Sequence, residues 1–323
     1  MRALIVTNMY PSREHPALGS FVRDQVQALR RIPGVELELF TFTPGAGSPA
    51  AYVRAAVHLR RRYRERRFDI VHAHYGLSAW PALAARGRMH AVTLHGTDLA
   101  HPRSRAITIS VLRRLDLVAA VSAPLANEIP RWATRRPAAV LPCGVDIDRF
   151  RPLPRADARA ALGLAADQPH VLFPADPRRP EKRFDRVRAV AGDTVVLSLV
   201  DVDPREVPLW VNAANAVLVP SEREGFGLGV LEALACDVPV LATPVGIAPE
   251  ALRGVAGALC EPFDAGAWRA ALAPHLAAAD PRVAGRARAE PYCTDRMAHR
   301  VLAAWRALER PGGSVALRGA TTG

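Results

Sequence analysis

Cysteine is scarce. Only Cys143, Cys236, Cys260 and Cys293 occur, widely spaced and with no Cys-x-x-Cys pair, so neither a disulfide framework nor a zinc site is indicated. A reducing cytoplasm is the default setting for such a chain. Aromatic residues make up only 6%, and none alternate with the basic runs as stacking platforms for nucleic acid would. Long apolar runs are absent as well: nothing approaches the roughly 20 residues of a membrane-spanning helix. The opening Met1-Arg2-Ala3-Leu4-Ile5-Val6-Thr7 is too short for a signal peptide's apolar core and reads as a first strand.

Acidic residues are outnumbered, 31 against 43 basic ones, for a net charge of +12 and an isoelectric point near 10.7. Such a balance suits nucleic acid, an anionic membrane surface or a phosphorylated ligand, and charge alone does not choose. Runs such as Arg60-Arg61-Arg62 and Arg64-Glu65-Arg66-Arg67 read first as solvated helix faces. The next reading is peripheral contact with anionic lipid at the inner face of the membrane, where each basic residue gains about 1 kcal/mol. No nucleic acid is expected as a partner.

What is present is a rhythm. Short aliphatic runs at Leu4 to Thr7, Val35 to Thr43, Ile70 to His74, Ala91 to Leu94 and Leu117 to Val121 alternate with helical stretches, as in parallel βαβ units. A second series follows at Val171 to Phe173, Val195 to Leu199, Ala216 to Val219, Val240 to Ala242 and Ala258 to Cys260. With 323 residues and half of them apolar, the chain suits two α/β lobes, each with its own core.

The expected organisation is an N-terminal Rossmann-like lobe over 1–142, and a Pro- and Gly-interrupted linker over 143–154. A C-terminal Rossmann-like lobe spans 155–290. A last helix over 291–310 packs back on a lobe through Val301, Leu302, Trp305 and Leu308, and a tail covers 311–323. Open parallel sheets bind ligands beyond their carboxyl ends, so two sheets facing across a cleft would share one crevice.

The most informative stretch runs Val217-Leu218-Val219-Pro220-Ser221-Glu222-Arg223-Glu224-Gly225-Phe226-Gly227-Leu228-Gly229-Val230-Leu231-Glu232-Ala233-Leu234-Ala235. It reads strand, glycine-rich turn, helix. Glycines permit close backbone approach, and a helix start offers N–H groups and a positive dipole end to a diphosphate. Glu232 interrupts an apolar helical run, where a carboxylate needs hydrogen-bond donors such as sugar hydroxyls or a distant arginine. Glu224 is either a solvated loop carboxylate or a ligand contact.

Glu224 and Glu232 form a Glu-x7-Glu motif within Pro-Ser-x-x-Glu-Gly-Phe-Gly-Leu that resembles the retaining glycosyltransferases of family 4. The resemblance covers nearly the whole chain except the tail. It implies a GT-B fold, a nucleotide diphosphate sugar as donor, retention at the anomeric carbon, and no required cofactor or metal. It further implies that Glu232 holds the ribose, that Glu224 contacts the donor sugar, and that the backbone of Gly225, Phe226, Gly227 and Leu228 faces sugar and phosphate. Asp237, where the family often has glycine, and Ile247, where a second glycine is common, depart from the pattern.

Three further segments match. In Asp176-Pro177-Arg178-Arg179-Pro180-Glu181-Lys182-Arg183-Phe184-Asp185, the family's diphosphate-gripping lysine corresponds to Lys182, while its arginine does not align cleanly and is Arg178 or Arg179. Leu94-His95-Gly96-Thr97-Asp98 resembles the acceptor-side histidine loop, which makes His95 a candidate catalytic group and Asp98 a weaker acceptor-side candidate. Gly19 sits in the loop after the first strand, where a small residue lets the donor approach, and Gly19-Ser20 resembles a teichuronic-acid-type polysaccharide subgroup. His72 and His74 share a strand face, but no further ligands complete a metal site, so they read as lobe architecture.

The expected activity is transfer of a sugar from a nucleotide diphosphate sugar to a carbohydrate or lipid-linked acceptor hydroxyl, in polysaccharide, glycolipid or other glycoconjugate biosynthesis. Three rivals stand beside it. They are a GT-B-fold sugar-nucleotide epimerase, a non-catalytic nucleotide-sugar-binding protein and, from charge alone, a nucleic-acid binder.

Overall fold

Each of the ten aliphatic runs becomes a strand, and all pair in parallel. The computed structural model describes residues 1–44 and 49–309. In the first unit, strands β1 (Arg2–Thr7), β2 (Glu36–Thr41), β3 (Phe68–His74), β4 (Gly87–Leu94), β5 (Leu117–Ala120) and β6 (Ala139–Val140) form one sheet in the order β2-β1-β3-β4-β5-β6. In the second unit, β7 (His170–Phe173), β8 (Val195–Ser198), β9 (Ala216–Val219), β10 (Val240–Ala242) and β11 (Leu259–Cys260) form another in the order β11-β10-β9-β7-β8. Read from its other edge, the second order repeats the first, β6 excepted. Both sheets reverse direction beside their first strand, between β1 and β3 and between β7 and β9, where open α/β sheets leave a crevice at the carboxyl ends.

β6 escaped the sequence reading because it is only two residues long and carries no run of its own. The units are Met1–Cys143 with the C-terminal residues from Thr294, and Gly144–Cys293. The tail expected over 311–323 lies outside the described residues.

The helix Thr294–Glu309 belongs to the first unit. Its Met297, Val301, Leu302 and Trp305 are buried in one cluster with Ile5 of β1, Val22 and Val26 of the helix Ser20–Arg30, and Ile70 of β3. Trp305 is 0% exposed, and its burial alone removes an area worth several kcal/mol from water. The second core gathers Val171, Phe173, Val187, Leu218, Leu241 and Trp268.

The arginines divide into two populations. Arg60, Arg61 and Arg62 are exposed on the last turn of the helix Pro49–Arg62. Others serve as internal clamps: Arg286 donates to the carbonyls of Ile147 at 2.9 Å, Phe150 at 3.0 Å and Ala235 at 3.1 Å. Arg155, 2% exposed, donates to Ala214, Ala279 and Pro281. These clamps tie the Pro-rich stretch after residue 143 to the second unit, giving backbone carbonyls the partners that irregular chain needs. Among the described residues no helix is long and apolar enough to cross a membrane.

Candidate functional site

In the second unit the chemistry gathers on the loops that follow β7 and β9. Beyond β9 the chain runs from Pro220 to Gly227 and enters the helix Leu228–Ala235. Gly227 has φ of +89°, a left-handed turn that favours glycine, and no side chain caps the helix there. Its first turn therefore presents backbone N–H groups and the positive dipole end. Gly246, with φ of +60°, supports the turn from behind: a Cβ there would stand 2.3 Å from the Phe226 carbonyl oxygen. That same carbonyl accepts the Ile247 N–H at 2.7 Å, so Ile247 is a buried prop of the loop.

Beyond β7, the loop 174–183 brings Lys182 against this turn. Lys182 Nζ donates to Glu224 Oε2 at 2.6 Å, and Ser221 Oγ donates to Glu224 Oε1 at 2.8 Å. The two charged side chains are only 12% and 11% exposed, so each offsets the other's desolvation. The Glu222 N–H also donates to the Glu181 carbonyl at 2.9 Å, stitching the two loops together.

Arg178 and Arg179 are exposed and point to their own local carboxylates. Arg178 donates to Asp176 at 2.8 Å and holds that carboxyl below its usual range, while Arg179 donates to Glu181 at 2.6 Å. Arg183, in the same segment, adopts φ of +57° and bonds both Asp185 and Glu222. Arg186 donates to the Pro220 carbonyl at 3.0 Å. Lys182 is thus the cation seated against Glu224, with four guanidiniums in the same loop and the helix after it. No local pattern distinguishes Arg183 and Arg186 from solvated basic residues, because the partners that tie them to the β9 loop, Glu222 and the Pro220 carbonyl, lie more than 30 positions away.

Glu232 sits half-buried one helical turn into Leu228–Ala235, on the same short helix as the glycine turn. Phe226 is buried, 5% exposed, with its ring 6.4 Å from that of Tyr292, so its side chain anchors the loop while its backbone lines it. Asp237 takes φ of +56° where glycine is the easy choice. Its carboxylate accepts the N–H groups of Gly285 at 3.0 Å and Arg286 at 2.7 Å, which offsets the strain of the left-handed turn.

In the first unit the ends of β3 and β4 bring His72, His74 and His95 into a stack. Ring centroids are 5.1 Å apart for His72 and His74 and 5.2 Å for His74 and His95. Phe21 covers His95 at 4.7 Å. Burial holds all three imidazoles below their ordinary pKa, His74 down to about 3, so they are neutral near pH 7. Trp305 Nε1 donates to His72 Nδ1 at 3.0 Å, and His72 Nε2 meets Thr93 Oγ1 at 2.8 Å. Among the described residues no group of three or more His, Cys, Asp or Glu side chains could hold a metal ion.

Asp98 is fully buried, and its carboxylate accepts the backbone N–H groups of Gly76 at 2.5 Å, His95 at 2.6 Å and Gly96 at 3.0 Å. Burial pushes its pKa up against the pull of those donors. It fixes the His95 loop from within, and nothing of it is exposed to an acceptor. Gly19 has φ of +65° and a Cβ there would stand 2.3 Å from the Met9 carbonyl oxygen. Both constraints come from the protein's own backbone.

Comparison with known proteins follows the same lines. The sequence profile of Glycosyltransferase Family 4 matches residues 12–149, and that of Glycosyl transferases group 1 matches residues 165–277. A D-inositol 3-phosphate glycosyltransferase of Actinosynnema mirum is 31% identical, the match covering 80% of this chain and 77% of that protein. One of the same description from Mycobacterium avium is 33% identical over 69% of this chain and 64% of its own length. Among solved structures, sucrose-phosphate synthase from Thermosynechococcus elongatus superposes with a TM-score of 0.73 at 20% identity, covering 95% of this chain and 98% of that one. Anabaena HepE in complex with UDP and glucose gives a TM-score of 0.69 at 16% identity, with 95% and 99% covered.

Proposed function

Because the chain belongs to glycosyltransferase family 4 and is a glycosyltransferase with two parallel-sheet lobes of the GT-B type, we propose that it moves a sugar from a nucleoside diphosphate sugar to an acceptor hydroxyl with retention of anomeric configuration. The observation that carries this reading is the Lys182–Glu224 pair, nine-tenths buried beside the uncapped start of the helix Leu228–Ala235.

A departing nucleoside diphosphate gains charge as the glycosidic bond breaks and needs preorganised cations and N–H donors. Lys182 supplies the cation and the turn Gly225–Leu228 supplies the backbone, with Arg178 or Arg179 able to turn from its exposed carboxylate partner toward phosphate. Glu224 accepts a hydroxyl of the donor sugar, and Glu232 holds the ribose hydroxyls from its helix. His95 donates a hydrogen bond to a hydroxyl of the donor sugar. No enzyme nucleophile is assigned, so the leaving phosphate takes the acceptor proton on the front face of the sugar. The scheme uses no cofactor.

The acceptor is a carbohydrate or lipid-linked hydroxyl in polysaccharide, glycolipid or other glycoconjugate synthesis. The relatives' name adds inositol 3-phosphate to the compounds worth testing.

The test is a thermal-shift and hydrolysis screen against UDP, GDP, ADP and dTDP sugars, with Glu232→Ala beside the wild type. One donor should stabilise the wild type and release its diphosphate slowly, and Glu232→Ala should lose both effects. No stabilisation by any of them at millimolar concentration overturns the reading. Product from donor alone, with the sugar altered, marks an epimerase instead, and an inverted anomeric configuration in the product removes the front-face scheme.

A further inference from the structure

Two hydrogen-bond relays run through the histidine stack of the first lobe, and each has a fixed direction. An indole N–H only donates, so His72 Nδ1, 3.0 Å from Trp305 Nε1, is an acceptor. His72 is a neutral ring, so its proton is on Nε2 and goes to Thr93 Oγ1.

The second relay starts at Gln25, 7% exposed on the helix Ser20–Arg30. Its amide nitrogen lies 3.0 Å from His74 Nε2, which therefore accepts. His74, fully buried and neutral, then carries its proton on Nδ1 and donates it to His95 Nε2 at 3.0 Å. With Nε2 of His95 accepting, the remaining proton of that neutral ring is on Nδ1. Among the described residues no group bonds His95 Nδ1. Asp98 does not enter the relay, since both its oxygens accept backbone N–H groups.

We propose that Gln25, acting through His74, is a positioning residue that holds His95 as the Nδ1–H tautomer, so that His95 meets the donor sugar as a neutral hydrogen-bond donor. The direction of the relay stands on the hydrogen bonds alone. Its use at the sugar rests on the proposed function.

The arrangement accounts for the His-x-His of β3. Alternate strand residues share a face, which stacks the two rings, and each ring closes a different relay. A neutral donor suits a neutral sugar hydroxyl. A stack of three imidazoles about one ring-width apart resists protonation of any member, so the Nδ1–H form persists near neutral pH.

Long-range 1H–15N correlation spectra of the full-length, 15N-histidine-labelled protein read the tautomer of each ring directly. His72 is expected with its proton on Nε2, and His74 and His95 with theirs on Nδ1. A wild-type His95 with its proton on Nε2, or charged near neutral pH, overturns the proposal. In Gln25→Leu, donor turnover measured as diphosphate release should fall about tenfold, with donor KM and the thermal shift by the preferred nucleoside diphosphate unchanged. Wild-type turnover in Gln25→Leu, or a loss confined to donor affinity, also overturns it. Should that variant not fold, the wild-type spectrum decides alone. Failure of the proposed function shows elsewhere, as a wild-type protein that none of UDP, GDP, ADP and dTDP stabilises.

Discussion

At the switch point of the first lobe, between β1 and β3, the end of β3 with that of the adjoining β4 holds three neutral imidazoles, and a buried amide joins them from the helix Ser20–Arg30 that follows β1. At the equivalent point of the second lobe, the ends of β7 and β9 lead into an ammonium, four guanidiniums and their carboxylate partners. The strand order around the two points is the same. Topology places a crevice in both lobes, and the loops decide whether it offers neutral hydrogen bonds or charge. On the proposed function both kinds are needed, since a sugar is neutral and a diphosphate is not.

The sharpest way to break this comparison is to remove the charge from the second lobe. Lys182→Met should lower kcat/KM by roughly a hundred- to thousandfold, the loss typical of one preorganised group that stabilises developing charge. It also leaves Glu224, only 11% exposed, without its counter-ion, so urea denaturation should show a loss of about 3 kcal/mol. Activity within a few-fold of wild type would mean that the second crevice does not depend on its charge.

The next test concerns a point where the lobes are alike. Gly19 and Gly246 both have φ near +60°, and in each a Cβ would stand 2.3 Å from a loop carbonyl oxygen. Gly19→Ala and Gly246→Ala should therefore each cost about 3 kcal/mol, from left-handed strain plus a clash against backbone. Unequal costs by denaturant titration would show that one loop yields where the other cannot.

A smaller and graded effect separates the lobes by pH. His74 has a folded pKa of about 3 against 6.5 unfolded, and His72 and His95 are lowered likewise. Between those values the unfolded chain binds protons that the folded chain refuses. Stability is thus full above pH 6.5 and falls as pH drops toward 3, by roughly 1 kcal/mol per pH unit for His74, with His72 and His95 acting in the same direction. In the second lobe the lowered histidines, His170 and His275, lie outside the switch point. Hydrogen exchange followed from pH 7 to 5 should open amides of β1, β3 and β4 before those of β9 and β10. The reverse order would relocate the acid-sensitive element.

The parallel strands were legible because their aliphatic runs are local, and the glycine turn with Glu224 and Glu232 because it is contiguous. The Lys182–Glu224 pair was half legible: each residue carried a motif, yet nothing in a spacing of 42 positions says that they touch. Asp98 was legible only as a loop acid, since nothing local in the sequence shows that its carboxylate accepts three backbone N–H groups. His72 and His74 were legible as architecture only. Their partners Trp305 and Gln25 stand 233 and 49 positions away, and a hydrogen-bond relay leaves no periodic trace. The structural arginines were hidden for the same reason, because a clamp on carbonyls needs three strands of chain that only the fold assembles.

Trp305 has one further consequence, for the order in which the protein is made. The second lobe is a continuous stretch of chain, whereas the first is interrupted and takes its last helix from residues beyond Thr294. As the chain leaves the ribosome, β1 to β6 emerge early, yet His72 receives its indole partner only after the entire second lobe has been translated. The lobe that starts first is therefore finished last, and until then an apolar seam along Ile5, Val22, Val26 and Ile70 waits for the helix that seals it.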